Sequence, residues 1–301
     1  MQRVTRDKLT PVFDRRLPPV LRVEQGEVFL VETEDSRGGR TRVPEHTTPE
    51  FLLAMRKQGY YGNPVTGPIF VEGAEAGDTL AVHILEQKCD TLGYMGYWPF
   101  LFHLEDYFPQ PNTTLVEIRD GHVIFAEDIR IPVRPVIGTI GVVPAMEAIF
   151  SGSMGRHCGN VDVQEIAAGS TIYLPVNVDG ALLCLGDCHA IQSDGEIGSV
   201  EMRSEITLRC EVIKGRSPNM VWPRVETADS LVTIGIATPL EEAARLALRE
   251  MICWIGELTG MSKHEAYLLA GCVGDWRPGQ VQVPNYSMRC IFPKEYLRQR
   301  R

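Results

Sequence analysis

The sequence lacks any long apolar run. None of its 301 residues belongs to a stretch of the ~20 apolar residues that cross a bilayer. The first thirty residues carry charges and prolines where a signal peptide has an apolar stretch. We therefore expect a cytoplasmic protein that has no membrane partner.

Clusters of positive charge are also missing. Six of the 30 basic residues are lysines, the basic residues form no run, and the net charge is -9. Proteins that bind a phosphate backbone need a concentrated basic face. Nucleic acid is therefore not an expected partner.

The eight cysteines form no C-x-x-C pair. In a chain without a secretion signal, scattered cysteines are expected to be buried thiols rather than a disulfide framework or a zinc knuckle. With 44% apolar and 23% charged residues, the composition is that of a globular protein.

Strand patterns dominate residues 20–235. In "EITLRCEVI" the apolar side chains of Ile206, Leu208, Cys210 and Val212 alternate with polar ones, as in a half-buried strand. Residues 91–118 are rich in aromatics, glycine and proline and show neither the strand nor the helix period, so an irregular segment is expected there. Its aromatics either line a site or interface or cover the core.

Helical patterns begin at residue 238. The first predicted helix has Thr238 as N-cap, Pro239 at the first helical position and Glu241 closing a capping box. A second capping box, from Ser262 to Glu265, starts a shorter helix. We predict a mainly β fold with a small α+β C-terminal element carrying these two helices. The predicted domains are an N-terminal β-rich domain (1–150), a central β domain carrying the site (151–235) and the C-terminal element (236–301).

The stretch "GDCHAIQSDGEI" (186–197) concentrates groups that bind metals or move protons. If the strand "ALLCLGD" stays extended past Gly186, Asp187 and His189 project from one face. Asp194 and Gly195 form a strong turn signal, which would fold Glu196 back beside Gln192. A polar hairpin without function explains the same pattern.

A second candidate is the glycine-rich "MGRHCGNVD", which holds His157, Asn160 and Asp162. Such a loop lets the backbone approach a ligand closely, although an ordinary turn has the same composition. Signals for a nucleophile are weaker. "SGSMG" lacks the first glycine of a nucleophile elbow, and Cys188 should point away from its neighbours Asp187 and His189.

Four segments resemble the acetamidase/formamidase family of linear-amide hydrolases, in the family's order. They are "NPVTGPIFVEGAEAGDTLAVHI" (63–84), "PVIGTIGVVP" (135–144), "HCGNVDVQEIAAGSTIYLPVNVDGALLCLGDCHAIQSDGEI" (157–197) and "EAYLLAGCVGD" (265–275). The resemblance implies a mainly β architecture with jelly-roll and barrel-like parts, and hydrolysis of a short amide to a carboxylate and ammonia.

The resemblance also implies a divalent metal, often zinc, near the Asn-Val-Asp and Gly-Asp-x-His segments. The residues that it places at the site are Asn160, Asp162, Asp187, His189, Asp194 and Glu196. The chain departs from the family pattern at Cys158 and Ser193, where glycine is usual, and its first histidine is His46.

Our working hypothesis has Asp187, His189 and Asp162 as metal ligands. The catalytic candidates are Glu196 as general base, Asn160 as hydrogen-bond donor to the oxyanion, and Asp194. The alternatives are a thiol mechanism through Cys188 or Cys158, and a binding protein of this fold without catalysis. A homodimer or higher homo-oligomer is expected, since two-fold homodimers are the commonest assembly.

Overall fold

The structure is a computed structural model that describes residues 1–60, 62–100, 104–215 and 220–297. The strands of the first half are β1 (Gln2–Val4), β2 (Leu9–Thr10), β3 (Val12–Phe13), β4 (Leu21–Val23), β5 (Val28–Thr33), β6 (Val65–Val71), β7 (Thr79–Tyr97), β8 (Asn112–Arg119), β9 (His122–Ile124), β10 (Arg130–Pro132), β11 (Val136–Val142) and β12 (Ile149–Phe150).

The remaining strands and the helices follow along the chain. The strands are β13 (Met154–Gly155), β14 (Cys158–Asn160), β15 (Thr171–Pro175), β16 (Leu183–Gln192), β17 (Ser199–Ile213), β18 (Arg224–Glu226), β19 (Ser230–Ala237), β20 (Asp275–Pro278) and β21 (Tyr286–Pro293). The α-helices are α1 (Pro49–Lys57), α2 (Leu240–Thr259) and α3 (Lys263–Val273), and 3-10 turns occupy Pro44–Thr47 and Lys294–Tyr296. No helix within the described ranges combines the length and the apolar character needed to cross a membrane.

Two long strands organise the large curled sheet. β7 and β17 pair antiparallel along most of their length, and β17 also pairs with β5 and β16. β16 in turn pairs with β11 and β6, so it is enclosed by neighbours and eight of its first nine residues are buried. The predicted mainly β class is confirmed, and Ile206, Leu208 and Cys210 are buried as their alternation indicates. The domain boundaries at residues 150 and 235 stay a prediction.

The prediction of an irregular segment over 91–118 is wrong at both of its ends. β7 runs through Tyr97 and pairs with β8, which covers Asn112–Arg119, while residues 101–103 lie outside the described residues. Glycine interrupts the apolar alternation here because the strands pack too closely for a side chain. A Cβ atom on Gly93 would lie 2.8 Å from the carbonyl oxygen of Glu201. Tertiary pairing therefore overrides the local signal.

The C-terminal helices are confirmed, but the first one starts differently from the prediction. Pro239, expected at the first helical position, is instead the N-cap of α2, and no side chain caps this helix end. The hydroxyl of Thr238 donates to the carbonyl of Pro284, so the capping box with Glu241 does not form. The capping box between Ser262 and Glu265 forms as predicted. The helix α1 has no counterpart in the sequence-based prediction.

Helix α2 lies directly on the sheet. Met251, Trp254 and Ile255 pack with Leu231 of β19 and Phe292 of β21 in an apolar cluster separate from the main core. All eight cysteines carry free thiols, and five of them are buried, which agrees with the interpretation of buried thiols. The helices therefore pack on the part of the sheet formed by β19 and β21, whereas the site lies on β16 and β17.

Candidate active site

Strand β16 presents Asp187 and His189 to one side. Both side chains are buried, and Oδ1 of Asp187 lies 3.6 Å from Nε2 of His189. Cys188, between them, points into the core, where its Sγ lies 3.5 Å from the hydroxyl of Thr33. Asp187 and His189 therefore share one side and Cys188 the other, as predicted, although the backbone of Asp187 is left-handed rather than extended.

The second candidate loop meets the first through β11. This strand pairs with β14 on one side, opposing Thr139 to Asn160, and with β16 on the other, opposing Val136 to His189. Asp162 follows β14 and reaches the same point. Single ligand atoms of Asp162, Asp187 and His189 lie within 4.8 Å of one another.

Glu201 completes the cluster and is absent from the residues predicted for the site. Its Oε1 lies 3.1 Å from Nε2 of His189, and a ligand atom of Glu196 is within 4.8 Å of both. The pairing of β16 with β17 opposes His189 to Glu201, but the register shifts between His189 and Gln192. Counting outward from the predicted pair of Gln192 and Glu196 would place Ser199 opposite His189, so the predicted turn does not point to Glu201.

Four atoms in this cluster are buried without a hydrogen bond in the described part of the chain. They are both carboxylate oxygens of Asp162, Oδ1 of Asp187 and Nε2 of His189, and the last has only ion-pair contacts, with Glu201 and Asp187. Burying such groups unsatisfied is costly. Carboxylate oxygens and an imidazole nitrogen are ligands that zinc-type cations take. The donor set therefore fits a divalent cation.

Gln192 fixes the orientation of the imidazole. Its Nε2 donates to the backbone oxygen of Asp162 (2.6 Å), so its Oε1 faces Nδ1 of His189 (2.7 Å). A carbonyl oxygen only accepts, so Nδ1 must carry the proton. In the neutral imidazole this leaves Nε2 unprotonated and able to bind a cation.

Asn63 and Thr139 fix a second pair of groups. The two amide N–H groups of Asn63 donate to Oδ2 of Asp187 (2.8 Å) and to Oδ1 of Asn160 (3.0 Å). The single hydroxyl proton of Thr139 is shared between Oδ1 of Asn160 (2.5 Å) and Oδ2 of Asp187 (3.2 Å). Oδ1 of Asp187 is thus left for a cation, and the amide nitrogen of Asn160 is left as a donor. Asn160 and Asp187 both line the adjoining cavity.

Glu196 stands at the tip of the turn between β16 and β17. Its Oε1 accepts a hydrogen bond from Ser199 (3.3 Å), and Gln282 donates to its other oxygen. Burial raises the pKa of Glu196 to about 8; the charge of His189 opposes this, and those of Asp187 and Glu201 add to it. A carboxyl group with a pKa near neutrality suits proton transfer.

The other ionisable groups of the cluster also have strongly shifted pKa values. Burial raises the pKa of Asp162 well above its usual range, with Glu196 and Asp187 adding to the effect. Burial also lowers the pKa of His189, but Glu201 and Asp187 reverse this and hold it well above its usual value. Burial raises the pKa of Glu201, yet His189 and hydrogen bonds more than offset it and lower the pKa to about 2. Without a cation, His189 and Glu201 form an ion pair.

Four residues around the site have left-handed backbone conformations. The φ angles are 51° at Asn63, 51° at Asp162, 54° at Asp187 and 47° at Glu196. Residues other than glycine rarely adopt this region, and such strain concentrates at functional sites. The left-handed backbone at these residues therefore helps to determine the direction of their side chains.

Two residues singled out in the sequence lie apart from the cluster. Asp194 forms ion pairs with Arg289 (2.5 Å) and Arg277 (3.5 Å), which tie the turn to the C-terminal strands. His157 packs edge-on against Phe13, with 5.0 Å between ring centroids, and burial lowers its pKa to about 4. Neither side chain lines the cavity.

The cavity beside the cluster has a volume of about 330 Å³. Its polar end is formed by Asn160, Asp187, Glu196 and Glu201, and its walls include Tyr94, Trp98 and Phe100. The aromatic segment therefore contributes to a cavity, one of the alternatives that the sequence left open. This volume is in the range of small-molecule sites.

Comparison with known proteins supports one family. The acetamidase/formamidase family matches residues 5–152 and 151–299. A formamidase from Methylophilus methylotrophus is 26% identical over 262 residues, which is 66% of this chain and 62% of that protein. The chain spans 53–62% of the length of the curated relatives it matches.

Solved structures extend the similarity to the whole fold. A Bacillus halodurans acetamidase is 33% identical, has a TM-score of 0.90 and covers 98% of each chain. A Yersinia enterocolitica acetamidase is 32% identical, with a TM-score of 0.89, over 99% of this chain and 93% of that one. A γ-lactamase from Delftia acidovorans, 22% identical with a TM-score of 0.65, shares the fold.

Proposed function

This chain belongs to the acetamidase/formamidase family, and from that premise we propose that it hydrolyses the C–N bond of short linear amides with a divalent cation, zinc by preference. The observation that carries the proposal is the group of buried ligand atoms on Asp162, Asp187 and His189 beside the cavity, of which both carboxylate oxygens of Asp162 and Oδ1 of Asp187 have no hydrogen bond among the described residues. When bound, the cation supplies a Lewis acid that acidifies water and polarises the amide carbonyl.

Asp162, Asp187 and His189 would hold the cation. Glu201 lies close enough to His189 to join them or to receive the positive charge of the imidazole when no cation is present. Gln192 keeps the imidazole in the tautomer that leaves Nε2 open, and Asn63 with Thr139 leaves Oδ1 of Asp187 open. Such supporting hydrogen bonds increase metal affinity.

Glu196 moves the proton. It takes a proton from the attacking water and passes it to the amide nitrogen, so that ammonia leaves and a carboxylate remains. Glu196 accepts that proton only when it is ionised, and the positive charge of a bound cation would lower its raised pKa and so favour the ionised form near neutral pH. The amide nitrogen of Asn160, held by its fixed Oδ1, donates a hydrogen bond to the oxyanion of the tetrahedral intermediate.

The geometry weighs against a thiol mechanism. Cys188 and Cys158 are fully buried and do not line the cavity. Burial raises the pKa of Cys188 to about 12 and that of Cys158 further still. A thiol that is neutral and sealed in the core is a poor nucleophile.

Ammonia release from formamide and acetamide, measured with chelator and again after zinc is restored, tests the proposal. We expect chelation to abolish release, zinc to restore it, and Cys188→Ala and Cys158→Ala to retain it. Activity that survives chelation and disappears in a cysteine variant would establish the thiol route. A protein that binds no metal and releases no ammonia from either amide would favour the alternative of a binding protein of this fold.

The cytoplasmic location and the homodimer stay predictions. Light scattering on the purified chain measures the subunit count directly, and a monomer would remove the expectation of a homo-oligomer, which rests on general frequency alone.

A further inference from the structure

Arg37 is a buried cation in the wall of the cavity. It lies in the segment after β5 and is 7% exposed. Its guanidinium lies over the ring of Tyr94, with 4.3 Å between Cζ and the centroid, and its Nη1 donates to the hydroxyls of Thr113 (2.8 Å) and Thr41 (3.4 Å). Arg37 lines the same cavity as Asp187 and Glu196.

The other buried arginines in the described ranges each contact two carboxylates. Arg224 pairs with Glu250 (2.7 Å) and Glu257 (2.8 Å). Arg289 pairs with Glu165 (3.0 Å) and Asp194 (2.5 Å). Buried charges are normally paired in this way. These two cases show how this fold usually satisfies a buried guanidinium.

Within the residues that the structure describes, Arg37 forms no ion pair with a carboxylate. The nearest acid in sequence, Asp35, uses Oδ1 to accept hydrogen bonds from the backbone N–H groups of Arg37 and Gly39. These hydrogen bonds fix the carboxylate on the loop backbone, and no ion pair joins it to the guanidinium. The positive charge of Arg37 lacks the counterion that its burial calls for.

The unused edge of Arg37 has the shape of a carboxylate site. Of the five N–H donors of a guanidinium, those on Nε and Nη2 have no acceptor among the described residues. That edge is the one through which Arg22 holds Glu72, with Nε and Nη2 on separate carboxylate oxygens. Two parallel hydrogen bonds of this kind are strong and specific.

We propose that Arg37 binds a carboxylate of the substrate, so that the preferred substrates are half-amides of short dicarboxylic acids. The inference rests on the proposed amide hydrolysis and names its substrate class. The amide end lies at Asp187 and Glu196, and the carboxylate end lies at Arg37. The guanidinium of Arg37 binds the carboxylate end, which fixes the orientation. The cavity of about 330 Å³ leaves room for such a chain.

The test compares two amides of equal length, succinic acid monoamide and butyramide, by ammonia release. For the wild-type protein we expect kcat/KM to be about 10- to 100-fold higher for the half-amide, as a charged bidentate contact provides. Arg37→Met should bring the ratio of the two values close to one, mainly through a higher KM for the half-amide. The ratio is measured on one preparation, so an unfolded fraction does not alter it. Arg37→Lys should restore part of the preference.

Arg42→Met is the matched control. Arg42 is in the same segment, pairs with Asp90 (2.7 Å) and does not line the cavity, so the variant should keep the preference. Hydrolysis of both amides without preference, or a preference that survives Arg37→Met, would overturn the inference and leave amide hydrolysis standing. If no amide is hydrolysed, calorimetric titration with succinate decides. Binding that Arg37→Met abolishes supports the anion site, and no binding to the wild type overturns it.

Discussion

A Cβ atom on Gly138 would lie 2.6 Å from Oδ1 of Asp162 and 3.0 Å from Cε1 of His189. Real side chains do not approach so closely, so Gly138→Ala must displace one of the proposed ligands. We expect the variant to bind zinc at least about 10-fold more weakly, since ligand position sets metal affinity. Competition with a chromogenic chelator measures this. Gly271→Ala, in open space on α3, is the control and should bind zinc normally. Normal affinity in Gly138→Ala would show that the cation site lies elsewhere.

Gln192→Met removes the acceptor that holds the imidazole of His189 through Nδ1. The ring is then free to rotate or change tautomer, and zinc affinity should fall about 10- to 100-fold, as happens when such supporting contacts are lost. The control is Gln164→Met, because Gln164 contacts Asp194 outside the cluster. Equal zinc affinities in the two variants would contradict the role given to Gln192.

Glu196→Gln removes the proton carrier and preserves the shape of the side chain. Turnover of acetamide should fall by about 10²- to 10⁴-fold while zinc content stays at the wild-type level. Both quantities are measured on the same preparation. Unchanged turnover would remove Glu196 from the mechanism, and loss of zinc would reassign it as a ligand.

Asp194→Asn distinguishes the role of Asp194 from that of Glu196, the other acid of the turn. Asp194 holds Arg289 and Arg277, so the variant should unfold at a lower temperature, yet its turnover per folded molecule should stay within a few-fold of wild type. Calorimetry and ammonia release measure the two effects. A loss of turnover as large as that of Glu196→Gln would place Asp194 in the chemistry.

The metal-free protein should lose stability as the pH rises through neutrality. The pKa of Glu196 is raised from 4.5 to about 8, so between these values the folded chain holds a proton that the unfolded chain has released. The free energy of unfolding therefore falls with rising pH, by at most about 1.4 kcal/mol per pH unit for this group. Urea titrations of metal-free wild type and Glu196→Gln from about pH 5 to 8 should show a shallower slope in the variant. His189 acts in the same direction above its usual pKa of 6.5, so some slope remains. Parallel curves would contradict the raised pKa.

Local pattern sufficed for the parts of the site that share one strand. Alternation places Asp187 and His189 together and Cys188 apart, because strand side chains alternate whatever surrounds them. Glu201, Asn63 and Thr139 were not foreseen, since their positions depend on which strands pair with β16. Strand pairing is a long-range property.

The same limit applies to two further residues. Asp194 stays a predicted catalytic residue, but its carboxylate pairs with Arg289 of β21, which local sequence did not indicate. The hydroxyl of Thr238 looked like a helix cap, but the carbonyl of Pro284 competes for it. In both cases a distant residue supplies a better partner than the local one, which local sequence does not reveal.

The left-handed backbone at Asn63, Asp162, Asp187 and Glu196 affects how the protein responds to engineering. Glycine adopts such angles without steric penalty, so Asn63→Gly relieves strain at the same time as it removes a hydrogen-bond donor from Asp187 and Asn160. Selection for heat resistance alone would therefore accumulate substitutions at these four positions that stabilise the fold and disrupt the site. Engineering for higher thermal stability should keep these four residues unchanged and introduce stabilising substitutions in the helices and outer loops.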